Sequence, residues 1–96
     1  MKKLNLIQSK KFEIEVIAKK YGASNIRIFG SVARGDDDDS SDIDILVTMA
    51  SNSSLFDLGG LYSELQEFLG RRISIVTEGG LKGRFKRHVL KEAIPL

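Results

Sequence analysis

The sequence predicts an α/β or α+β sandwich in which helices pack on one small sheet, and two observations support this prediction. Amphipathic segments of helical periodicity alternate along the chain with short apolar segments of strand periodicity. The 96 residues are 42% hydrophobic and include one proline, and neither an internal repeat nor a linker interrupts them. This length and composition are typical of one globular domain, which we assign to residues 1–96.

The first predicted element is an amphipathic helix over residues 9–21. Its apolar stripe recurs at helical spacing, and charged side chains fill the opposite face. The stripe consists of Phe12, Ile14, Val16, Ile17, Ala18 and Tyr21. Gly22 follows at the position where a left-handed glycine commonly ends a helix.

A short strand is predicted next, over residues 25–29, because this segment is mostly apolar and stops at Gly30. Residues 31–34 are too few for an independent helix but are enough for one helical turn. Residues 35–41 are polar and are predicted to form a loop.

The second strand is predicted over residues 42–48, which are rich in β-branched residues. Its period of two places Asp42 and Asp44 on one face and Ile43 and Ile45 on the other. The strand therefore carries two carboxylates on one side.

A second long helix is predicted to begin at Ser54, because Ser54 and Asp57 have the spacing of a capping box. The pair Gly59–Gly60 costs roughly 1 kcal/mol per glycine relative to alanine and predicts an irregular first half. Gly70 is expected to end the helix. The apolar residues that we assign to its stripe are Leu55, Leu58, Tyr62, Leu65, Phe68 and Leu69.

Two further elements complete the predicted fold. Residues 72–77 alternate in polarity and are predicted to form a third strand, and residues 81–93 have the periodicity of a final helix that ends before Pro95. The expected sheet therefore has about three strands.

Bases and acids are segregated along the chain. The net charge is +2, but residues 1–35 carry +6, residues 36–70 carry −9 without a single base, and residues 71–96 carry +5. An acidic block of this kind attracts a divalent cation, and the basic segments beside it attract phosphate.

Composition excludes several classes of function. Cysteine is absent, which excludes a disulfide scaffold, a thiolate nucleophile and a cysteine zinc site, and one histidine argues against a histidine-based metal cage. The first residues lack the apolar region of a signal peptide, and no run of 18 apolar residues occurs. We therefore expect a cytoplasmic protein without a membrane segment.

The residues that we assign to chemistry lie in the segment 30–44. Gly30 and Gly35 have the spacing of a Walker A loop, but aspartates replace the lysine and hydroxyl residue that must follow. An EF-hand that begins at Asp38 lacks both the required glycine and the required bidentate glutamate. Neither motif accounts for the segment.

A phosphate and metal site accounts for the same segment. Gly30 permits close approach of the backbone, and Ser31 places a hydroxyl beside the unpaired N–H groups that open a helical turn, where an anion binds well. Asp42 and Asp44 point the same way, roughly 6 to 7 Å apart along the strand, so that both can ligate Mg²⁺. Such a site predicts metal-assisted phosphoryl or nucleotidyl transfer.

Gly30-Ser31, ten residues and then Asp42-x-Asp44 resemble the G-S-x10-D-x-D signature of the DNA polymerase beta-like nucleotidyltransferases. The chain is most similar to their smallest branch, the minimal nucleotidyltransferases, and the similarity covers nearly its whole length. The resemblance implies the nucleotidyltransferase two-layer sandwich, with Gly30 and Ser31 holding the triphosphate of ATP and with Asp42 and Asp44 as catalytic ligands of Mg²⁺. Arg34 is expected either to contact a phosphate or to form a salt bridge with the acids at 36–39.

The same resemblance implies a protein partner. Members of this branch commonly pair with a HEPN-type protein, often as the antitoxin of a toxin–antitoxin couple, and some transfer AMP to that partner. Either a homo-oligomer or a hetero-oligomer is compatible with this expectation. A weaker hypothesis is binding of nucleic acid by the basic C-terminal segment, but no aromatic residues are interleaved with its bases as stacking platforms.

One departure from the family pattern concerns the third strand. The family usually has a third catalytic carboxylate there, whereas this chain has Ser74, whose hydroxyl cannot act as a base near neutral pH. Glu78, four residues further on, is a candidate substitute if the chain folds back. Two hypotheses therefore stand: a nucleotidyltransferase, and a nucleotide-binding antitoxin module with weakened catalysis.

Overall fold

The structure is a computed structural model that describes residues 2–96. Its helices are α1 (Lys3–Ser9), α2 (Lys11–Lys20), α3 (Gly30–Arg34), α4 (Leu55–Leu69) and α5 (Gly83–Glu92), with a 3-10 turn at Glu78–Gly80. Its strands are β1 (Ala23–Phe29), β2 (Ile43–Met49), β3 (Ile73–Thr77) and β4 (Ile94–Pro95). None of these helices is both long and apolar enough to cross a membrane.

The four strands form one mixed sheet in the order β3-β2-β1-β4. β1 is antiparallel to β2 and to β4, whereas β2 is parallel to β3. The predicted α/β sandwich is confirmed, but the expected number of three strands is wrong. β4 has two residues, one of them Pro95, so that it has too few positions to show a strand pattern.

The helix predicted over residues 9–21 is present as α2, but a further helix that was not predicted, α1, precedes it, and the two meet at Lys10. The side chain of Lys3 in α1 is buried beside Asp37, with 3.9 Å between the ammonium and a carboxylate oxygen. Asp37 is therefore buried, although it lies in the segment 35–41 that was predicted to be a polar loop. This pairing joins positions far apart in the chain, so that no local pattern reports it.

The main core lies between α2, α4 and one face of the sheet. Its fully buried side chains include Ile7, Ile14, Ile28, Ile43, Ile45, Val47, Leu61 and Leu65. A second, smaller cluster lies on the opposite face beneath α5, and its buried members are Phe29, Leu46, Leu81 and Val89. The side chains of β2 therefore alternate between two environments: its isoleucines face α2 and α4, and Asp44 and Leu46 face α5.

Several apolar residues that the helical stripes assigned to the core are exposed instead. Phe12 is 75% exposed, Leu55 84% and Tyr62 40%. The stripe on each helix is therefore narrower than the sequence suggests, because each helix contacts the sheet along one line. The capping box at Ser54 and Asp57 is present as predicted.

Helix α4 is continuous through Gly59–Gly60, which corrects the expected irregular first half. Gly60 lies against the ring of Tyr21, and a Cβ atom there would come within 2.4 Å of Tyr21 Cε1. The Tyr21 hydroxyl donates to Glu64 Oε1 at 2.7 Å, one helical turn further on. The absence of a side chain at Gly60 therefore allows α2 and α4 to approach.

Candidate active site

The site begins where β1 turns into α3. Gly30 has a φ of +74°, in the left-handed region that favours glycine. A Cβ atom at Gly30 would lie 2.2 Å from Asp44 Oδ2, since the Asp44 carboxylate lies directly over the glycine. Both the turn and the proximity of the carboxylate therefore require glycine at this position.

Ser31 is the second residue of α3 and is half-buried. Its backbone carbonyl accepts the N–H of Asp36 at 3.1 Å, which closes the segment after α3. Within residues 2–96 its hydroxyl makes no hydrogen bond. The hydroxyl is thus available to a ligand beside the first turn of α3.

Asp42 immediately precedes β2, Asp44 is the second residue of that strand, and Ser74 pairs with Asp44 across the parallel β2–β3 ladder. Paired residues of neighbouring strands lie on the same face about 4.8 Å apart, so that the Ser74 side chain stands beside the Asp44 carboxylate. Asp42 is exposed, and its Oδ1 lies 3.1 Å from Arg72 Nε. The three residues that the sequence assigned to the catalytic site therefore lie together at one end of the sheet.

The electrostatics of the site are those of a cluster of negative charge. Burial, followed by the neighbouring charges of Asp42 and Glu92, raises the pKa of Asp44 above its ordinary value, and Arg34 partly offsets this effect. A divalent cation at the two carboxylates would remove this repulsion.

Arg34, at the end of α3, forms two ion pairs. Its Nε lies 3.1 Å from Asp36 Oδ2, so the salt bridge expected with residues 36–39 is present, and its Nη1 lies 2.8 Å from Glu92 Oε2. Contact between Arg34 and a phosphate remains a prediction.

Glu92 is the residue at this site that the sequence analysis missed. It lies at the end of α5, and its Oε1 accepts the Gly30 N–H at 2.6 Å. Burial by itself would raise the pKa of Glu92, but hydrogen bonds from Arg34 and from the Gly30 N–H lower it overall. The sequence offers one weak indication of its role, namely that Glu92 is the single acid in a strongly basic C-terminal helix.

Glu78 does not supply the missing third acid in this arrangement. Its Oε2 lies 3.1 Å from Arg27 Nη2 and accepts the Thr48 hydroxyl at 3.1 Å. Thr48 is four residues beyond Asp44 on the same face of β2, which separates the two sites by about 13 Å of strand. Glu78 therefore belongs to a structural ion pair at the opposite end of the strand.

The donor set fits Mg²⁺. Among residues 2–96, no three Asp, Glu, His or Cys side chains are arranged to hold one metal ion. Mg²⁺ usually takes only one or two protein carboxylates and completes its shell with phosphate oxygens and water. Asp42 and Asp44 provide two such carboxylates.

Comparison with known proteins identifies the family. The family model described as “Nucleotidyltransferase domain” matches residues 10–96. The chain belongs to the nucleotidyltransferase family. This finding confirms the resemblance drawn from the residues Gly30-Ser31 and Asp42-x-Asp44.

Two curated relatives resemble this nucleotidyltransferase over most of its length. A protein of Methanocaldococcus jannaschii named “Putative protein adenylyltransferase” is 39% identical over 84 residues, which are 88% of this chain and 90% of the relative. “Protein adenylyltransferase MntA” of Thermococcus cleftensis is 33% identical over 78 residues, which are 81% and 79% of the two chains.

Two solved structures share the fold of this nucleotidyltransferase. One, described as the “Structure of putative minimal nucleotidyltransferase”, superposes with a TM-score of 0.87 at 39% identity and covers 97% of this chain and 95% of that one. The other, a toxin–antitoxin solved with AMP-PNP, has a TM-score of 0.75 at 21% identity, over 88% of this chain and 70% of that one. At this low identity the second match reports the fold alone.

Proposed function

We propose that this protein is a Mg²⁺-dependent protein adenylyltransferase that transfers AMP from ATP to a hydroxyl of a partner protein. The observation that carries the proposal is the position of Asp42 and Asp44 beside the Gly30-Ser31 turn in a member of the nucleotidyltransferase family. The names of the two curated relatives support a protein as the acceptor.

In the proposed reaction, the acceptor hydroxyl oxygen forms a bond to the α-phosphorus of ATP. The bond from that phosphorus to the bridging oxygen breaks, pyrophosphate leaves, and the hydroxyl proton passes to water. Asp42 and Asp44 would hold Mg²⁺, which neutralises phosphate charge when bound. Ser31 and the N–H groups of the first turn of α3 would bind the phosphates, and Arg34 would contribute its positive charge to the same group.

The partner is proposed to dock on the exposed face of α5. The bases on and beside this helix are exposed and make no ion pair within residues 2–96: Lys82, Arg84, Lys86, Arg87 and Lys91. Phe85 is 55% exposed among them and Leu90 38%. A surface of this kind suits a protein that combines acidic and apolar groups, and a HEPN-type protein is the proposed partner.

The position of Ser74 beside Asp44 favours a second candidate function. Ser74 carries no negative charge and cannot act as a base near neutral pH. No carboxylate at this position would therefore assist removal of the proton from the acceptor hydroxyl. The alternative is therefore an antitoxin-like module that binds nucleotide and a HEPN-type partner but transfers AMP slowly.

Incubation of the protein with its co-expressed partner, Mg²⁺ and either α-labelled or γ-labelled ATP tests the proposal. Adenylyl transfer labels the partner from α-labelled ATP only. Label from the γ position would instead indicate phosphoryl transfer and contradict the proposal. A stable complex without label from either position would favour the binding module, and binding to nucleic acid that falls steeply with salt would favour the weaker hypothesis.

A further inference from the structure

One carboxylate, that of Glu92, joins the two ends of α3. Its Oε1 accepts the Gly30 N–H at 2.6 Å and its Oε2 accepts Arg34 Nη1 at 2.8 Å. The Glu92 side chain is 14% exposed, and its bond to the Gly30 N–H is partly buried, whereas its bond to Arg34, whose side chain is 47% exposed, lies at the surface. Both bonds involve a charged group and are therefore stronger than hydrogen bonds between neutral groups.

The backbone around Glu92 is fixed on both sides. Val89, one turn earlier in α5, is fully buried and packs in the cluster with Phe29 and Leu46. Two residues beyond Glu92, Ile94 pairs with Ile28 in the sheet. The carboxylate is therefore held at the turn by the body of the protein and does not depend on a mobile segment.

The two acids bonded to Arg34 leave one edge of its guanidinium group open. Nε is bonded to Asp36 and Nη1 to Glu92, whereas Nη2 makes no hydrogen bond within residues 2–96. The Glu92 carboxylate that binds Arg34 also accepts the N–H of Gly30, and Gly30 lies against the Asp44 carboxylate. The guanidinium group of Arg34 therefore lies at the same end of the sheet as Asp44.

Two other roles for Glu92 fit the structure less well. It is not a third metal ligand in this arrangement, because no three acidic, histidine or cysteine side chains of residues 2–96 are arranged to hold one metal ion. A second role, that of an internal anion which nucleotide must displace, requires the carboxylate to leave both of its donors. The fixed backbone on either side of Glu92 disfavours such a displacement.

We propose that Glu92 is a positioning residue for the nucleotide: it holds the Gly30 peptide beneath Asp44 and orients Arg34 so that the open edge of its guanidinium group meets a phosphate. This role rests on the proposed function, since it presumes that a nucleoside triphosphate binds at the turn. Glu92 acts through Arg34 and Gly30 and does not itself contact the nucleotide.

A double-mutant cycle on Mg²⁺–ATP binding, measured by calorimetry, tests this role. Glu92→Gln keeps the size of the side chain but removes its charge, and it should weaken binding about tenfold in the native background. In the Arg34→Gln background, the same change should have less than a twofold effect, because there is then no guanidinium to orient and the glutamine amide oxygen can still accept the Gly30 N–H. Glu92→Asp, which keeps the charge, should restore part of the affinity.

Glu78→Gln is the matched control, because Glu78 also pairs with an arginine, Arg27, but at the far end of the same strand. It should lower thermal stability without a change in ATP affinity. If Glu92→Gln proves unstable, the comparison of Glu92→Asp in the two Arg34 backgrounds gives the same answer.

The outcomes separate the inference from the proposed function. Failure of the native protein to bind Mg²⁺–ATP would overturn both. Native binding that Glu92→Gln leaves unchanged, or weakens equally in both backgrounds, would overturn the positioning role alone. Tighter binding by Glu92→Gln would also overturn it and would identify Glu92 as an anion that competes with the nucleotide.

Discussion

Ser74 on β3 stands directly beside Asp44 on β2, in the parallel pairing that ends at the proposed nucleotide site. The hydroxyl contributes no charge next to a carboxylate whose pKa is already raised by burial and by its acidic neighbours. A carboxylate at position 74 would add negative charge at this point. Compared with an acidic residue, Ser74 therefore adds no electrostatic repulsion to the fold, and it offers no carboxylate that could act as a base.

The first prediction follows from this pair. Ser74→Asp should raise Mg²⁺-dependent transfer of labelled AMP to the partner by about 10²- to 10⁴-fold, which is the usual contribution of a general base. Ser74→Asn, which is similar in size but uncharged, is the control and should give no rise. Strong transfer by the native chain that survives Ser74→Ala would show that another residue accepts the proton.

A second prediction concerns the contact between Gly30 and Asp44. Gly30→Ala should lower the free energy of unfolding by more than Gly35→Ala, because only the former Cβ meets a carboxylate, at 2.2 Å, whereas nothing lies within 4 Å of the latter. The φ angles are similar, +74° and +80°, so that both substitutions carry the same left-handed backbone cost of about 1 kcal/mol. Urea unfolding measures the difference, and equal losses would contradict the close contact.

The packing of α2 against α4 gives a third prediction. Gly60→Ala should destabilise the protein because its Cβ would approach the Tyr21 ring to 2.4 Å, whereas Gly59→Ala has open space and should stabilise it by about 0.5 to 1 kcal/mol. Thermal unfolding of the two variants is the measurement. A stabilising Gly60→Ala would show that the ring of Tyr21 does not lie on that glycine.

A fourth prediction concerns pH. The hydrogen bond from Arg27, followed by that from Thr48, lowers the pKa of Glu78 below its ordinary value of 4.5. The unfolded chain then binds more protons at this carboxyl, so its contribution to stability is present above about pH 4.5 and disappears as the pH falls through the lower native pKa. Glu78→Gln should therefore reduce the free energy of unfolding at pH 7, and the difference from the native protein should shrink at pH 3. A difference that is constant with pH would contradict this ion pair.

Local sequence patterns predict much of this fold but not its long-range contacts. The capping box at Ser54 and the alternation of residues 42–48 are local signals, and the predicted element is present in both places. The burial of Lys3 beside Asp37 and the bond from Gly30 to Glu92 join residues 34 or more positions apart. Such contacts depend on how the elements assemble, and no periodicity in the chain encodes them.

The residues of the candidate site likewise include some that local sequence predicts and one that it does not. The turn at Gly30 and the carboxylates of Asp42 and Asp44 follow from residue type and spacing, because a strand places alternate side chains on one face. Glu92 has no such signal, since its helix is otherwise basic and its partners lie at the start of α3. Glu92 reaches Gly30 only because the fold places α5 over the face of the sheet that carries Asp44 and Leu46.

Calorimetric binding of Mg²⁺–ATP to the native protein and to the variant that combines Asp42→Asn with Asp44→Asn tests the central claim most directly. The native protein should bind the nucleotide in the presence of Mg²⁺ and lose most of that affinity when the metal is chelated. The double variant should keep its circular dichroism spectrum and lose the metal-dependent part of binding, because its amides carry no charge to hold the ion. Equal Mg²⁺-dependent affinity of the two proteins would contradict the assignment of the site to these aspartates.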